Sequence, residues 1–309
     1  GCNARLTIVT RGAMSVNGEA TAPVQAALWG LGRTLAHERP DCWGGLVDLD
    51  PNSSVEEAVR LLAEHLLCAD AEDQVALRDS KRYAARLERL SPSLDTPVKF
   101  SPDSACLITG GFGALGLRTA EWLIAQGVRH LILTSRTGLP PRREWADVDP
   151  ASHTGSRVAA IRRLESLGAS VLAPALDVTS ERALREFLQE YNREMRPPIR
   201  SVFHLAGSLA YGLLDKLDRS ELEQVFLPKV AGGWALEQVF GDVDLLVAYS
   251  SVTALLPEPG SGAYAAANCF LNALTERRQA SGRRALAVCW GPWAGSGMAV
   301  GSEEAFAAR

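Results

Sequence analysis

Ala105-Cys106-Leu107-Ile108-Thr109-Gly110-Gly111-Phe112-Gly113-Ala114-Leu115-Gly116 is the stretch that decides the fold. It opens as an apolar run of strand length. Gly111, Gly113 and Gly116 then fit G-x-G-x-x-G, with Gly110 ahead of them and Leu115 inside. The three glycines allow, in order, a tight turn, close approach of main chain to a pyrophosphate, and close packing of helix on strand. Beyond the loop, Leu117, Ala120, Leu123 and Ile124 share one helical face, so the helix points its amino-terminal amides and positive dipole end at the phosphates. A glycine cluster by itself marks only a turn. A strand before it and a helix after it make it a dinucleotide-binding loop.

Downstream, the apolar runs RHLILTSR, ASVLAPALDV, SVFHLAG, DLLVAYSS and RALAVCWG alternate with helical stretches. Continuous apolar strands separated by helices predict an α/β fold, a Rossmann-like doubly wound parallel sheet covered on both faces. Upstream, LSPSLDTPVKFSPDS, from Leu90 to Ser104, is rich in proline and serine and reads as a linker. It separates residues 1–97 from residues 98–309. The first part reads as strand LTIVTRGA, a helix from Ala22 to about Glu38, strand WGGLVDLD, a helix from Val55 to about Leu67, and short strands DQVALRD and RYAARLERL. Leu28, Leu31 and Leu35 give its first helix one apolar face. No glycine-rich loop follows its first strand, so a truncated, Rossmann-like, noncatalytic structural subdomain is predicted.

Composition narrows the function. The 309 residues are 47% hydrophobic and 22% charged, enough for more than one core. A net charge of -4 leaves no electrostatic footprint for nucleic acid or anionic membrane. No apolar run reaches spanning length, and none resembles a signal peptide. The six cysteines form no C-x-x-C pair, and the five histidines lack metal-ligand spacing. Buried thiols in a reducing, cytoplasmic compartment are expected, without a metal. The chain opens on Gly1-Cys2-Asn3 without methionine and reads as part of something longer.

The strand after the glycine loop ends in Ser135-Arg136, where NAD-specific folds carry an acidic residue on the ribose. A guanidinium there can grip a 2′-phosphate bidentately, which predicts NADPH. Asp177 and Val178 close the third strand where the adenine would lie. Asp177 could instead cap the next helix, although Thr179 or Ser180 could do so too. Ala206 and Gly207, closing the fourth strand, complete the candidate cofactor contacts.

Chemistry-bearing residues gather at later strand ends. DLLVAYSS closes with Ser250-Ser251. Tyr264 follows thirteen residues after Ser251 and opens the small-residue helix YAAANCFLNAL, with Asn268 one turn on. Lys229 lies on an apolar stripe with Leu222, Val225, Phe226 and Leu236 when counted at helical pitch. A lysine there either snorkels to solvent or is held inside for a purpose. Ketone reduction needs these types: a tyrosine to give the proton, an ammonium to lower its pKa, a serine to bond the ketone oxygen, and an asparagine to hold a water linking lysine to solvent.

TGGFGALG, SR, LDV, HLAG, PKV, SS and the Y-x-x-x-N run resemble the ketoreductase domains of modular type I polyketide synthases, an extended branch of the short-chain dehydrogenase/reductase family. RGA, ALWGLGR and WGGLVDL resemble that family's structural subdomain. The resemblance implies Tyr264 as acid, Ser251 as oxyanion donor, and Lys229 with Asn268 in support. It also implies reduction of a β-ketoacyl thioester carried on the phosphopantetheine arm of an acyl carrier protein, among neighbouring synthase domains. Gly291 to Trp293, with Gly297-Met298-Ala299 after it, resembles the approach to a substrate lid. The family's structural subdomain normally starts with a further strand–helix portion. Here that portion is either trimmed away or separated by an inserted domain. Where makers of the D-hydroxy product usually carry Leu-Asp-Asp, this chain has Leu209-Ala210-Tyr211, which favours the L-hydroxy product. Leu256 stands where L-specific members carry tryptophan, and Pro259 leans towards the D class. A ketoreductase-fold scaffold or epimerase, and a free-standing short-chain dehydrogenase, are the alternatives.

Overall fold

The computed structural model describes residues 4–68, 71–89 and 98–293. Strand β1 (Leu6–Arg11), helix α1 (Pro23–Glu38), β2 (Trp43–Leu49), α2 (Val55–Leu66), β3 (Gln74–Arg78) and β4 (Lys81–Ala84) come first. β1, β2 and β3 run parallel in sheet order β1-β2-β3-β4. β4 returns antiparallel through Asp79 and Ser80, both at positive φ, the mirror-image turn whose twist suits a hairpin. The rest of RYAARLERL adds no further strand before residue 90.

The second part supplies β5 (Ala105–Thr109), α3 (Ala114–Ala125), β6 (His130–Thr134), α4 (His153–Ser166), β7 (Ser170–Leu172), α5 (Glu181–Arg193) and β8 (Ile199–His204). Then follow α6 (Arg219–Phe226), a π-helical turn Leu227–Ala231, α7 (Gly232–Val239), β9 (Leu245–Ser251), α8 (Gly262–Ala280) and β10 (Ala285–Trp290). β9-β8-β5-β6-β7 are parallel neighbours in that order. The order reverses at β5, the place where doubly wound sheets bind ligands.

Two expectations fail for covalent reasons. ASVLAPALDV was expected to form one strand, yet β7 stops at Leu172, with only an isolated bridge from Ala175 to Ser135 beyond it. Pro174 has no N–H to give a ladder. The helix expected to carry Lys229 is broken into α6, the π turn and α7, because Pro228 removes an i→i−4 bond and its ring crowds the preceding turn.

Contacts divide the chain into two compact units. One joins the described residues up to 89 with Leu209–Phe226 and Ser250–Gly291. The other contains residues 98–208 and Leu227–Tyr249. The second unit is cored by Leu107, Ile132, Leu184, Val202, Leu236 and Phe240 between helices and sheet. In the first unit α1 lies directly against α8. Its most buried face is Ala26, Ala27, Trp29, Gly30, Arg33 and Thr34; of the leucine stripe, Leu28 is 40% exposed, whereas Leu31 and Leu35 are half-buried, with Leu31 beside Gly262 of α8. Small residues win this face because the backbones nearly touch: a Cβ on Gly30 would sit 2.5 Å from Ala265 O and Ala266 N. Cys106 and Cys269 are buried as expected, whereas Cys68 is exposed.

Candidate active site

At the carboxyl end of β5, Gly110 takes φ +64° and passes so near β8's exit that a Cβ would lie 3.0 Å from Ala206 N. A Cβ on Gly116 would lie 2.5 Å from Gly110 O. Side chains at these points would collide with backbone, so the glycines permit the tight turn and let the start of α3 pack against the strand end. Gly113 caps α3 with no side-chain bond, so that helix end offers its amides outward. Gly111, Leu115 and Phe112 complete the loop.

Ser135 and Arg136 follow β6. Arg136 is exposed. Ser135 Oγ donates to Thr137 O at 2.7 Å and accepts from Arg157 of α4. Arg157 went unnoticed in the sequence. Its guanidinium also donates to Thr137 Oγ1 at 3.0 Å and lies 4.2 Å over the Phe112 ring. It is buried, and among the described residues its Nε has no partner, so it brings positive charge to the glycine loop. No sequence spacing marks it, because α4 reaches Ser135 only through the fold. Asp177 Oδ1 accepts from Thr179 N at 3.0 Å and Thr179 Oγ1 at 2.8 Å, while Ser180 caps α5 through Ala183 N. Val178 is buried beside Gly232.

The π turn carries Lys229 inward, only 3% exposed, so it does not snorkel. Its Nζ donates to Tyr249 O at 3.0 Å, and its stem runs beside Gly207, where a Cβ would lie 3.0 Å from Cε. Burial pushes this amine down to about 8. His204 of the HLAG run is pushed down to about 3 by burial and by the Lys229 charge. The imidazole is therefore neutral, with Nδ1 2.8 Å from Thr109 Oγ1.

Ser251, Tyr264 and Asn268 come together in the first unit. Tyr264 sits in the first turn of α8, buried among alanines. Burial raises its pKa, against hydrogen bonds from Asn268 and Ser251, and the nearby Tyr211 phenol raises it further. The expected lowering is therefore absent. At neutral pH Tyr264 holds its proton. Ser251 closes β9 and caps the turn Val252–Ala254, accepting from Thr253 N at 3.2 Å. Asn268 Nδ2 donates to Tyr264 O at 2.8 Å, and its wholly buried Oδ1 has no partner among the described residues. Such an acceptor is where a bound water satisfies its bonds. The lid-like segment Gly297-Met298-Ala299 lies outside the described residues.

A glycine-rich loop at the switch point of a parallel sheet defines a dinucleotide-binding domain of Rossmann type. Family comparison sharpens this: residues 104–295 match the KR domain, and residues 2–87 match the Rossmann fold domain of the polyketide synthase extender module SpnB. The chain belongs to the ketoreductase domains of modular polyketide synthases, oxidoreductases acting on β-keto groups. It is 37% identical to the 6-methylsalicylic acid synthase of Aspergillus terreus, over 92% of this chain and 16% of that protein. It is 38% identical to erythronolide synthase EryA3 of Saccharopolyspora erythraea, over 100% of this chain and 9% of that protein. The chain thus spans a small part of these much longer relatives. The ketoreductase from the first module of phoslactomycin biosynthesis in Streptomyces sp. HK803 superposes with TM-score 0.83 at 33% identity, covering 98% of this chain and 68% of that one. An A1-type ketoreductase superposes at 0.84 with 36% identity, covering 98% and 62%. Among the described residues no helix is long and apolar enough to cross a membrane.

Proposed function

We propose that this domain reduces a β-ketoacyl thioester, presented on the phosphopantetheine arm of an acyl carrier protein, to the L-β-hydroxyacyl thioester with NADPH. Residues 1–97 serve as the structural subdomain and 98–309 as the catalytic one, within a multienzyme that carries neighbouring synthase domains. The observation that carries the reading is Tyr264, kept protonated by burial and bonded by both Ser251 and Asn268. The chemistry supplied by the bound reduced nicotinamide is hydride transfer to the ketone carbon. Tyr264 gives its phenolic proton to the ketone oxygen, and Ser251 bonds that oxygen and stabilises its developing charge. Asn268 holds a water at Oδ1, and Lys229 supplies the proton that restores the phenol.

Arg136, Ser135 and the buried charge of Arg157 favour a cofactor with a 2′-phosphate. Tyr211, near Tyr264, occupies the position of a missing aspartate on the side where the pantetheine arm enters, and this supports the L product. The test is turnover of β-ketoacyl pantetheine thioesters with NADPH, followed by chiral chromatography. Tyr264→Phe should lose at least about a hundredfold in kcat while folding normally. Retained turnover in that variant would overturn the acid assignment, and a predominantly D-configured alcohol would overturn the stereochemistry.

A further inference from the structure

Glu38 stands at the wrong end of its helix. A carboxylate in the last turn of α1 faces the negative end of the helix dipole, an unfavourable place for it. Both of its oxygens are nevertheless used, each on a backbone amide from a distant part of the chain. Oε2 accepts from Leu214 N at 2.8 Å, and Oε1 accepts from Gly260 N at 2.8 Å. Charge-assisted bonds of this kind are about twice as strong as neutral ones, enough to offset the dipole.

The two amides belong to the two segments that frame Tyr264. Leu214 follows Leu209-Ala210-Tyr211, and Tyr211 acts on the Tyr264 phenol. Gly260 lies four residues before Tyr264, in the turn that starts α8. The segments also bond each other, Gly212 N donating to Gly260 O at 3.0 Å. Leu214 packs so closely on Gly262 that a Cβ there would overlap its side chain. Without the carboxylate the two segments would still be joined by the Gly212–Gly260 backbone bond, the Leu214–Gly262 contact and the influence of Glu258 on Tyr211, but both amides would lose their charged acceptor.

We propose that Glu38, from the half of the chain without chemistry of its own, is a positioning residue for the substrate side of the site. It clamps the 209–214 and 257–261 segments in one arrangement, and so sets which ketone face meets the proton donor. This rests on the reading of Tyr264 as acid and of 209–211 as bordering the acyl chain.

Glu38→Ala removes both acceptors. Glu38→Gln keeps one, because its amide nitrogen cannot accept from an N–H. Hydrogen exchange by mass spectrometry should show at least about tenfold faster exchange in peptides covering 212–217 and 257–262 of Glu38→Ala, with less change in Glu38→Gln. In turnover with β-ketoacyl pantetheine thioesters, Glu38→Ala should raise KM about tenfold with a smaller change in kcat, and should turn one enantiomer into a mixture. Affinity for NADPH, measured by fluorescence titration, should stay unchanged. Unchanged exchange at both segments would overturn the clamp. Faster exchange with wild-type KM and product ratio would overturn its role in positioning. A wild-type domain that reduces no thioester would instead overturn the proposed function, and the exchange result would still decide the clamp.

Discussion

Replacing Lys229 with methionine should make the protein more stable and less active at the same time, and the stability effect should reverse with pH. Lys229 is buried, and its amine is pushed from 10.5 down to about 8. The folded pKa lies below the unfolded one, so folding disfavours the charged form. Full stability exists above about pH 10.5 and is lost as pH falls from there through 8. One pKa unit corresponds to about 1.4 kcal/mol, so at pH 7 the lysine costs about 3 kcal/mol. Methionine removes that cost and keeps the stem's apolar packing. It also leaves Tyr249 O without the Nζ donor, at a cost of about 1–2 kcal/mol. The net at pH 7 is a gain of about 1–2 kcal/mol, or roughly 2–6 °C in Tm. At pH 10.5 the lysine is neutral and the lost hydrogen bonding remains, so the variant becomes the less stable one. Turnover at pH 7 should fall at least about tenfold, and any alkaline fall in kcat/KM near pH 8 should vanish. Thermal melts of both proteins across pH 6.5–10.5 test this. A difference in Tm that does not vary with pH would refute the reasoning.

Other perturbations follow from the packing and the charges. Gly30→Ala must push apart two backbones and should destabilise by about 2 kcal/mol in urea unfolding, lowering turnover because Ala265 adjoins Tyr264. Gly32→Ala meets side chains rather than backbone, Leu46 Cδ2 at 2.6 Å and Ile8 Cδ1 at 3.2 Å, so its midpoint should shift less. Glu276 has its carboxyl raised to about 7 by burial, with Glu19 adding to the effect, and its Oε2 lacks a partner among the described residues. Its neutral form is favoured in the fold, so its stability is present below about pH 4.5 and lost as pH rises through 7. Glu276→Gln should therefore match wild type at pH 4.5 and exceed it by about 3 kcal/mol at pH 8 in denaturant titrations. Arg136→Ala should weaken NADPH binding much more than NADH binding; wild-type discrimination in a fluorescence titration would transfer the selection to other groups, Arg157 first.

Local chemistry made much of this protein legible in one dimension. G-x-G-x-x-G between an apolar strand and an amphipathic helix states its own backbone geometry, since only glycine permits the approach of Gly116 to Gly110. Ser251, Tyr264 and Asn268 were readable because a strand end and one helical turn bring them together at short range. Lys229 could be singled out because an ammonium on an apolar stripe conflicts with solvation. What periodicity misjudged were the places where a covalent restraint or a distant neighbour prevails. Pro174 shortened β7, and Pro228 opened the π turn that carries Lys229 inward. On α1 the leucine stripe forms only the margin of the buried face: Leu28 is exposed, while the glycine and alanines beside it allow the closest approach to α8. Arg157 beside Ser135 and Glu38 on two amides more than 170 positions away carry no sequence signal at all, and Tyr211, marked by resemblance, comes near Tyr264 only in the fold. Their roles arise from charge and hydrogen bonding across long loops, and only the folded chain brings those groups within reach.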